Sequence, residues 1–396
     1  MEVHKRPPLL ELPNEILQHV ASFLPTDQDL RNLNLVCREI RDRVMAPESS
    51  VWRARFHDKY DLPPGRTNAE LNIEYQIRAI VLPQTIDFKQ EASEHQTLWL
   101  EVLQQMLLES LTLPLKSDTS KTYERIRETL TKSELLEHPG RENPSELFCT
   151  VQLCLTALAL TLDPADESTP AIKTKCSRSE YDIGTVYSHG QAVDGPFIDH
   201  ERLDLSTLLH IRSFWQRHIL NKAEQTFHES FARLPEVTRP QLRKTDLEAE
   251  SSPSFSWLGY YSCLHPMPAA RKDFEDQETC ADLRGDHLSQ VEIMTLEINI
   301  TSEPFWPDIC NQIIPLYGNP ETKRTYFQGI QSTLNGDPAE NPMFGFTEAI
   351  AHPYGGFAGW TRICFAICEE PDDDSDSDVI MEDGDDSEDN YWVHAL

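Results

Sequence analysis

Residues Leu9 to Ala54 read LLELPNEILQHVASFLPTDQDLRNLNLVCREIRDRVMAPESSVWRA, and the punctuation of this stretch cuts it into short helices. Pro13 suits the first turn of a helix, where its missing N–H costs nothing. Ile16, Leu17, Val20, Phe23 and Leu24 follow at the spacing of one helical face, and Pro25 stops the run. Thr26 with Asp29 three residues on predicts a capping-box start for a second helix that carries Leu30, Leu33 and Cys37. A third helix turns through Ile40 and Val44 until Pro47. Helices of about ten residues bury little by themselves, so these apolar faces call for something to cover them.

For any one of these leucines an ordinary place in a helical core is the default. The whole string resembles something more specific. Leu12, Pro13, Glu15, Ile16, Leu17, Phe23, Leu24, Leu30, Leu33, Leu35, Val36, Cys37, Arg38, Arg41, Val44 and Trp52 fall where the F-box family has its pattern residues. The F-box is the helical module by which substrate receptors dock onto a Skp-family adaptor in cullin-RING ubiquitin ligases. The resemblance covers about an eighth of the chain. It implies an adaptor-facing surface made by Leu12, Pro13, Ile16, Leu17, Val20, Leu24, Leu30, Leu33, Leu35 and Val36, with Trp52 packing the end of the module against the chain beyond it. It also implies a mechanism without chemistry or cofactor: the chain bridges adaptor and client, and catalysis belongs to other subunits, the gain being proximity. The alternatives are an adaptor-bound scaffold acting outside ubiquitination and a ligand-binding barrel fused to an F-box.

Outward from this module, residues 1–8 read as a flexible lead, 9–60 as the F-box and 61–240 as a mainly helical scaffold with Leu62–Gly65 as its seam. Helical patterns run over Asn68–Val81, His95–Leu111, Thr119–Glu137, Glu146–Leu162, Leu205–Leu220 and Lys222–Leu234. Residues 241–368 change character. Phe255–Tyr261, Val291–Ile300, Arg324–Ile330, Met343–Ile350 and Phe357–Ile367 are short, aromatic and β-branched, and are separated by Gly, Pro and Asn clusters. They predict an antiparallel sheet and an α+β class for the whole chain. No internal period of propeller or leucine-rich type is visible.

Trp257-Leu-Gly-Tyr260-Tyr261 with Gly359-Trp360 resembles the carboxy-terminal half of F-box proteins from filamentous fungi, some of which hold a calycin-like barrel. Those relatives continue past an acidic insert into a closing strand rich in Gly and Arg. This sequence has Tyr391-Trp-Val-His-Ala-Leu396 at that place, so the expectation is a sheet curled into a barrel, or one left with an open edge if the closing strand is absent. Trp257, Tyr260, Tyr261, Trp306 and Trp360 are candidates for a client pocket, weighed against an ordinary aromatic core.

Other motifs lead less far. Cys263, His265, Cys280 and His287 carry zinc-ligand chemistry, but C-x-H and then C-x6-H is no standard finger, and the expectation is no metal. His200-Glu-Arg-Leu-Asp204 lacks the second histidine of a metalloprotease helix and reads as a helix start. Gly355, Gly356 and Gly359 do not make a dinucleotide loop, and no nucleophile elbow is present.

The 396 residues carry 35 Lys and Arg against 66 Asp and Glu, a net charge of −31 that argues against nucleic acid or an anionic membrane as partner. Thirteen of the acids lie in the 22 residues from Glu369 to Asn390, so 369–396 reads as an acidic, disordered tail or insert. Within it, Ser375 with Asp378 fits an acidophilic kinase site. The F-box segment, Leu9 to Tyr60, is near neutral with eight acids and seven bases. Nine cysteines without a CxxC pair, and no signal-like opening, predict a cytoplasmic or nuclear protein in which the Asn299 sequon is unused.

Overall fold

The computed structural model describes residues 8–90, 92–112, 120–137, 144–156, 158, 169–190, 197–198, 202–222, 227–234, 254–261, 292–303, 305–306, 324–333, 340–368 and 391–395. The chain divides into two compact units, Met1–Glu134 and Leu135–Leu396. Helices occupy the N-terminal and middle parts and an antiparallel sheet the C-terminal part, so the class is α+β as expected.

In the first unit, α1 (Asn14–Ser22), α2 (Asp27–Val36) and α3 (Arg38–Val44) are followed by α4 (Ser50–Lys59), α5 (Asn68–Val81), α6 (Glu94–Thr112) and α7 (Lys121–Lys132). Thr26 and Thr67 each close a capping box, with Asp29 and Glu70 as the reciprocal partners. The pattern predicted over Thr119–Glu137 breaks in two. Ser133 is extended, α7 ends before it, and a 3-10 turn comes next at Leu135–Glu137.

The second unit begins with α8 (Glu146–Cys154), α9 (Thr169–Cys176) and α10 (Ile183–Gly190). A two-residue ribbon, β1 (Phe197–Ile198) with β2 (Arg202–Leu203), leads to α11 (Leu205–Leu220) and α12 (Phe227–Arg233). The sequence pattern did not single out α9, α10 or the ribbon, and the helix expected from Lys222 is described only over Phe227–Arg233. α11 is buried on several sides and carries polar groups inward. Arg212 donates to the side-chain oxygens of Gln152 and Gln216 at 3.0 Å each, and Gln216 donates to Ser179, so the helices are cross-linked by amides and a guanidinium.

The sheet is a meander in chain order: β3 (Ser254–Tyr261), β4 (Glu292–Ile300), β5 (Arg324–Thr333), β6 (Glu340–Ala349), β7 (Thr361–Cys368) and β8 (Tyr391–Ala395), each antiparallel to the next. Barrel closure would pair β3 with β8, and among the described residues no such pairing occurs. Alternation gives the sheet two buried faces. Leu296, Ile298, Phe327, Met343, Ile363, Phe365 and Ile367 form a core on one. On the other, Phe344, Phe346, Cys364 and Ala366 lie beneath Trp306. Gly345 is required where it stands, because a Cβ there would meet the Cys364 carbonyl oxygen and come within 2.6 Å of the Phe327 ring.

Contacts join α8 and the β1–β2 ribbon of this unit to β7 and the turn before it. The Tyr354 hydroxyl accepts from the Leu203 N–H at 3.0 Å, the Gly355 N–H donates to the Glu146 carboxylate, and the Arg362 guanidinium lies 4.6 Å from the centre of the Phe197 ring. Gly355 has φ +52°, and a Cβ on it would strike Thr150.

Candidate functional site: an N-terminal docking module

The apolar stripe of α1 is wider than one contact, and its two halves go different ways. Leu17 and Ala21 turn inward with Leu30, Ile40, Val44 and Val51 to make a small core, on which Leu24 and Leu33 pack half-buried. Ile16, Val20 and Phe23, at i, i+4 and i+7, remain outside at 48%, 46% and 73% exposure. Leu35 and Val36, at the end of α2, are 82% and 67% exposed. Leu17 and Leu30, expected on the adaptor side, therefore face inward, because the module needs them as its own core. Pro13 is exposed and Leu12 half-buried.

Polar side chains hold the three helices in place around that core. The Arg43 guanidinium, from α3, donates to the carbonyls of Leu10 and Leu12 and to the side-chain oxygen of Asn14, pinning the approach to α1. Gln18 donates to the Arg43 carbonyl at 3.0 Å and accepts from the Ser50 N–H at 3.1 Å, so one amide joins α1, α3 and α4. Trp52 is buried, donates to the Ala46 carbonyl at 3.1 Å and stands 6.3 Å from the Tyr75 ring, which makes it the packing residue at the end of the module.

The start of α2 carries a charged cluster. Asp27 accepts from Lys59 Nζ at 2.8 Å and from the Tyr75 hydroxyl at 2.7 Å. Burial pushes its carboxyl up, but these hydrogen bonds and the charges of Lys59 and Arg55 outweigh that and hold it below the usual carboxylate range. Burial and the Asp27 contact raise the Tyr75 hydroxyl. Between α2 and α3 lies an open cleft of about 700 Å³ lined by Arg31, Asn34, Leu35, Arg41 and Asp42 among others. Both polar atoms of the Asn34 side chain are buried there without a hydrogen-bond partner among the described residues. Exposed apolar groups flanking an unsatisfied amide are what a docking surface presents before its partner arrives.

Of the client-pocket candidates in the second unit, Trp306 and Trp360 have described side-chain surroundings. Trp306 packs edge-on against Phe344 and Phe346, and its Nε1 has no acceptor among the described residues. Trp360 donates instead to the Phe357 carbonyl at 3.0 Å, within the turn before β7. Trp257, Tyr260 and Tyr261 lie in β3, where Trp257 is opposite Leu296 and Tyr260 opposite Ile293, positions of opposite parity. Cys263, His265, Cys280 and His287 lie outside the described residues. Among the described residues no group of three or more His, Cys, Asp or Glu is placed to hold a metal. Asp204 caps α11 by accepting from the Thr207 N–H at 3.0 Å, the helix-start role its sequence context suggested. Burial pushes the Cys149 and Cys176 thiols up to about 12, and Cys154 and Cys364 to about 11, the opposite of an activated nucleophile. No described helix is long and apolar enough to cross a membrane.

The N-terminal geometry is that of a small helical docking module: a closed core, polar ties, and apolar side chains left outside it. Residues 9–58 match the family model of the F-box-like domain. The chain thus carries an F-box-like domain at its N-terminus, the part by which F-box proteins generally bind Skp-family adaptors. Searches of curated proteins and of solved structures return no match.

Proposed function

We propose that this chain is the substrate-recognition subunit of an SCF-type ubiquitin ligase. It binds a Skp-family adaptor through its F-box-like domain and presents a client protein through the second unit, to an enzyme bound elsewhere on the cullin scaffold. The observation that carries the reading is the match at residues 9–58 together with Ile16, Val20, Phe23, Leu35 and Val36 standing outside the module's core. A folded domain gains nothing internally from these exposed side chains, whereas covering them on a partner releases water from apolar groups. The chain supplies position and no catalytic group. Its place is the cytoplasm or nucleus, where adaptor and cullin act, and neither nucleic acid nor membrane is its partner. The client surface belongs to the sheet-bearing unit, with Trp306 on its aromatic side.

The test is co-purification of the full chain with the adaptor and cullin. Both should be recovered with the wild type and lost together when Phe23 and Leu35 are changed to Ala in a chain that still folds. Recovery of the adaptor without cullin would replace this reading with that of a scaffold outside ubiquitination. Comparing protein abundance with and without the chain, under proteasome inhibition, identifies the client.

A further inference from the structure

One face of the sheet ends in a row of charges. By register Arg324 of β5 stands opposite Glu348 of β6, and Glu348 opposite Arg362 of β7, so the three share a face with Tyr326, Phe344 and Phe346. Arg324 Nε lies 3.0 Å from the Glu348 carboxylate and Arg362 Nη1 lies 3.5 Å from it. Among the described residues no other carboxylate pairs with either arginine, so the row sets two guanidiniums against one carboxylate in a chain of net charge −31. Glu348 and Arg362 are buried, and the Arg362 Nε has no hydrogen-bond partner among the described residues. Buried N–H donors without acceptors beside a surplus cation are complementary to a ligand that brings oxygen atoms and negative charge. From this row the face opens along β5. Arg324 and Tyr326 are half-buried, Gln328 and Ile330 are exposed, and Ile330 stands opposite the exposed Glu297 of β4. The exposed Phe305 packs edge-on against Phe344, whose register partner is Gln328. These side chains make a shelf that is cationic at the Arg324 end and apolar at Phe305 and Ile330.

We propose that this shelf holds the client by an extended segment that sets a carboxylate or phosphate against Arg324 and Arg362 and an apolar side chain against Phe305. The inference rests on the receptor reading above and names the chemistry of the client segment. A guanidinium presents its N–H groups as a planar fork that matches the oxygens of either oxyanion. Glu348 holds the two forks in place but neutralises only one of them. Phe344, on which Phe305 packs, lies four residues along β6 from Glu348, which is about 13 Å at the rise of a strand. An extended segment therefore spans both contacts with its oxyanion four residues from its apolar side chain. Glu297, beyond the apolar end, disfavours an acid there, so the segment lies with its negative charge toward Arg324.

The experiment uses the full chain and fluorescently labelled nine-residue peptides of Gly, Ser and Thr that carry one Leu and, four residues before or after it, Glu, phosphoserine or Ala. The Glu or the phosphoserine peptide should bind at least about tenfold more tightly than the Ala peptide, with an advantage that shrinks as salt rises. Which of the two binds more tightly tells a carboxylate client from a phosphorylated one. Arg324→Gln, at a half-buried position, should abolish the advantage, and Phe305→Ala should weaken all the peptides alike. Glu348→Gln frees both guanidiniums for the ligand and should tighten binding of the oxyanion peptides, which a purely structural ion triad would not do. Where Glu348→Gln does not fold by circular dichroism, Arg324→Gln decides. Equal binding of the Glu, phosphoserine and Ala peptides would overturn the proposal, as would no binding by any of them or an advantage that survives Arg324→Gln. Adaptor binding measured on the same chains separates the two readings. Absence of an oxyanion preference with the adaptor bound refutes only the shelf, while a chain that keeps the preference and binds no adaptor refutes only the ligase reading.

Discussion

Leu17 and Leu35 are the same residue type in neighbouring helices, and truncating each to Ala should have opposite consequences. Leu17 has no exposed surface and sits among Ala21, Leu30, Ile40, Val44 and Val51. Its truncation leaves a cavity and should cost about 2–5 kcal/mol of stability in the first unit. Leu35 is 82% exposed, so its truncation should change stability by less than about 0.5 kcal/mol. On the adaptor the same deletion removes three carbons at about 0.8 kcal/mol each, scaled by the four-fifths of the side chain that is free to be covered. That amounts to about 2 kcal/mol, or roughly thirtyfold in Kd. Urea unfolding reports the first quantity and titration calorimetry with purified adaptor the second. An unchanged Kd for Leu35→Ala would refute this division into inner and outer faces, as would a Leu17→Ala chain that binds the adaptor weakly while remaining as stable as the wild type.

Three further outcomes are expected. Gly345→Ala should destabilise the second unit by about 1–3 kcal/mol, since the added methyl meets the Cys364 carbonyl and the Phe327 ring; an unchanged thermal transition would contradict the packing described. With their thiols pushed up to about 12, Cys149 and Cys176 should resist alkylation at pH 8 in the native chain and react on denaturation, as mass spectrometry of labelled peptides would show. The Asp27 carboxyl is held below its ordinary range, so its contribution is present at neutral pH and is lost as pH falls through that depressed value. Asp27→Asn should therefore lower stability at pH 7 and match the wild type near pH 2, and a deficit that persists in acid would point to packing instead of charge.

The sequence carried the N-terminal helices because each boundary has its own chemistry. Pro13 and Pro25 bracket α1, and Thr26 with Asp29 forms the capping box that starts α2. What periodicity left open was sidedness. Ile16 and Leu17 are adjacent and both apolar, and a stripe broad enough to serve a core and a partner does not say which edge serves which. The Arg43 and Gln18 ties that settle the matter bond mostly to backbone atoms 25 to 33 residues away, which no local pattern encodes. The strands β3 to β7 were recognisable from aromatic and β-branched runs between turn residues. β8 was not, because five residues after an acidic stretch have neither the length nor the alternation to stand out, and pairing with β7 is what makes them a strand. Composition did not separate Trp306 from Trp360, which are alike as residues, yet one lies over the sheet and the other completes a turn.

The contacts of Tyr354, Gly355 and Arg362 set the smallest piece of this protein that can be studied apart. A fragment beginning at residue 241, where the composition turns from helical to β-rich, would keep all six strands. It would lose the Leu203 N–H, the Glu146 carboxylate and the Phe197 ring against which the 354–362 segment rests. Such a fragment should be recovered as aggregate, since β6 and β7 would keep their apolar faces but not the ribbon and the α8 carboxylate that fix the turn between them. A cut at residue 135 retains every one of these contacts, and binding experiments with an isolated client-holding part should start there.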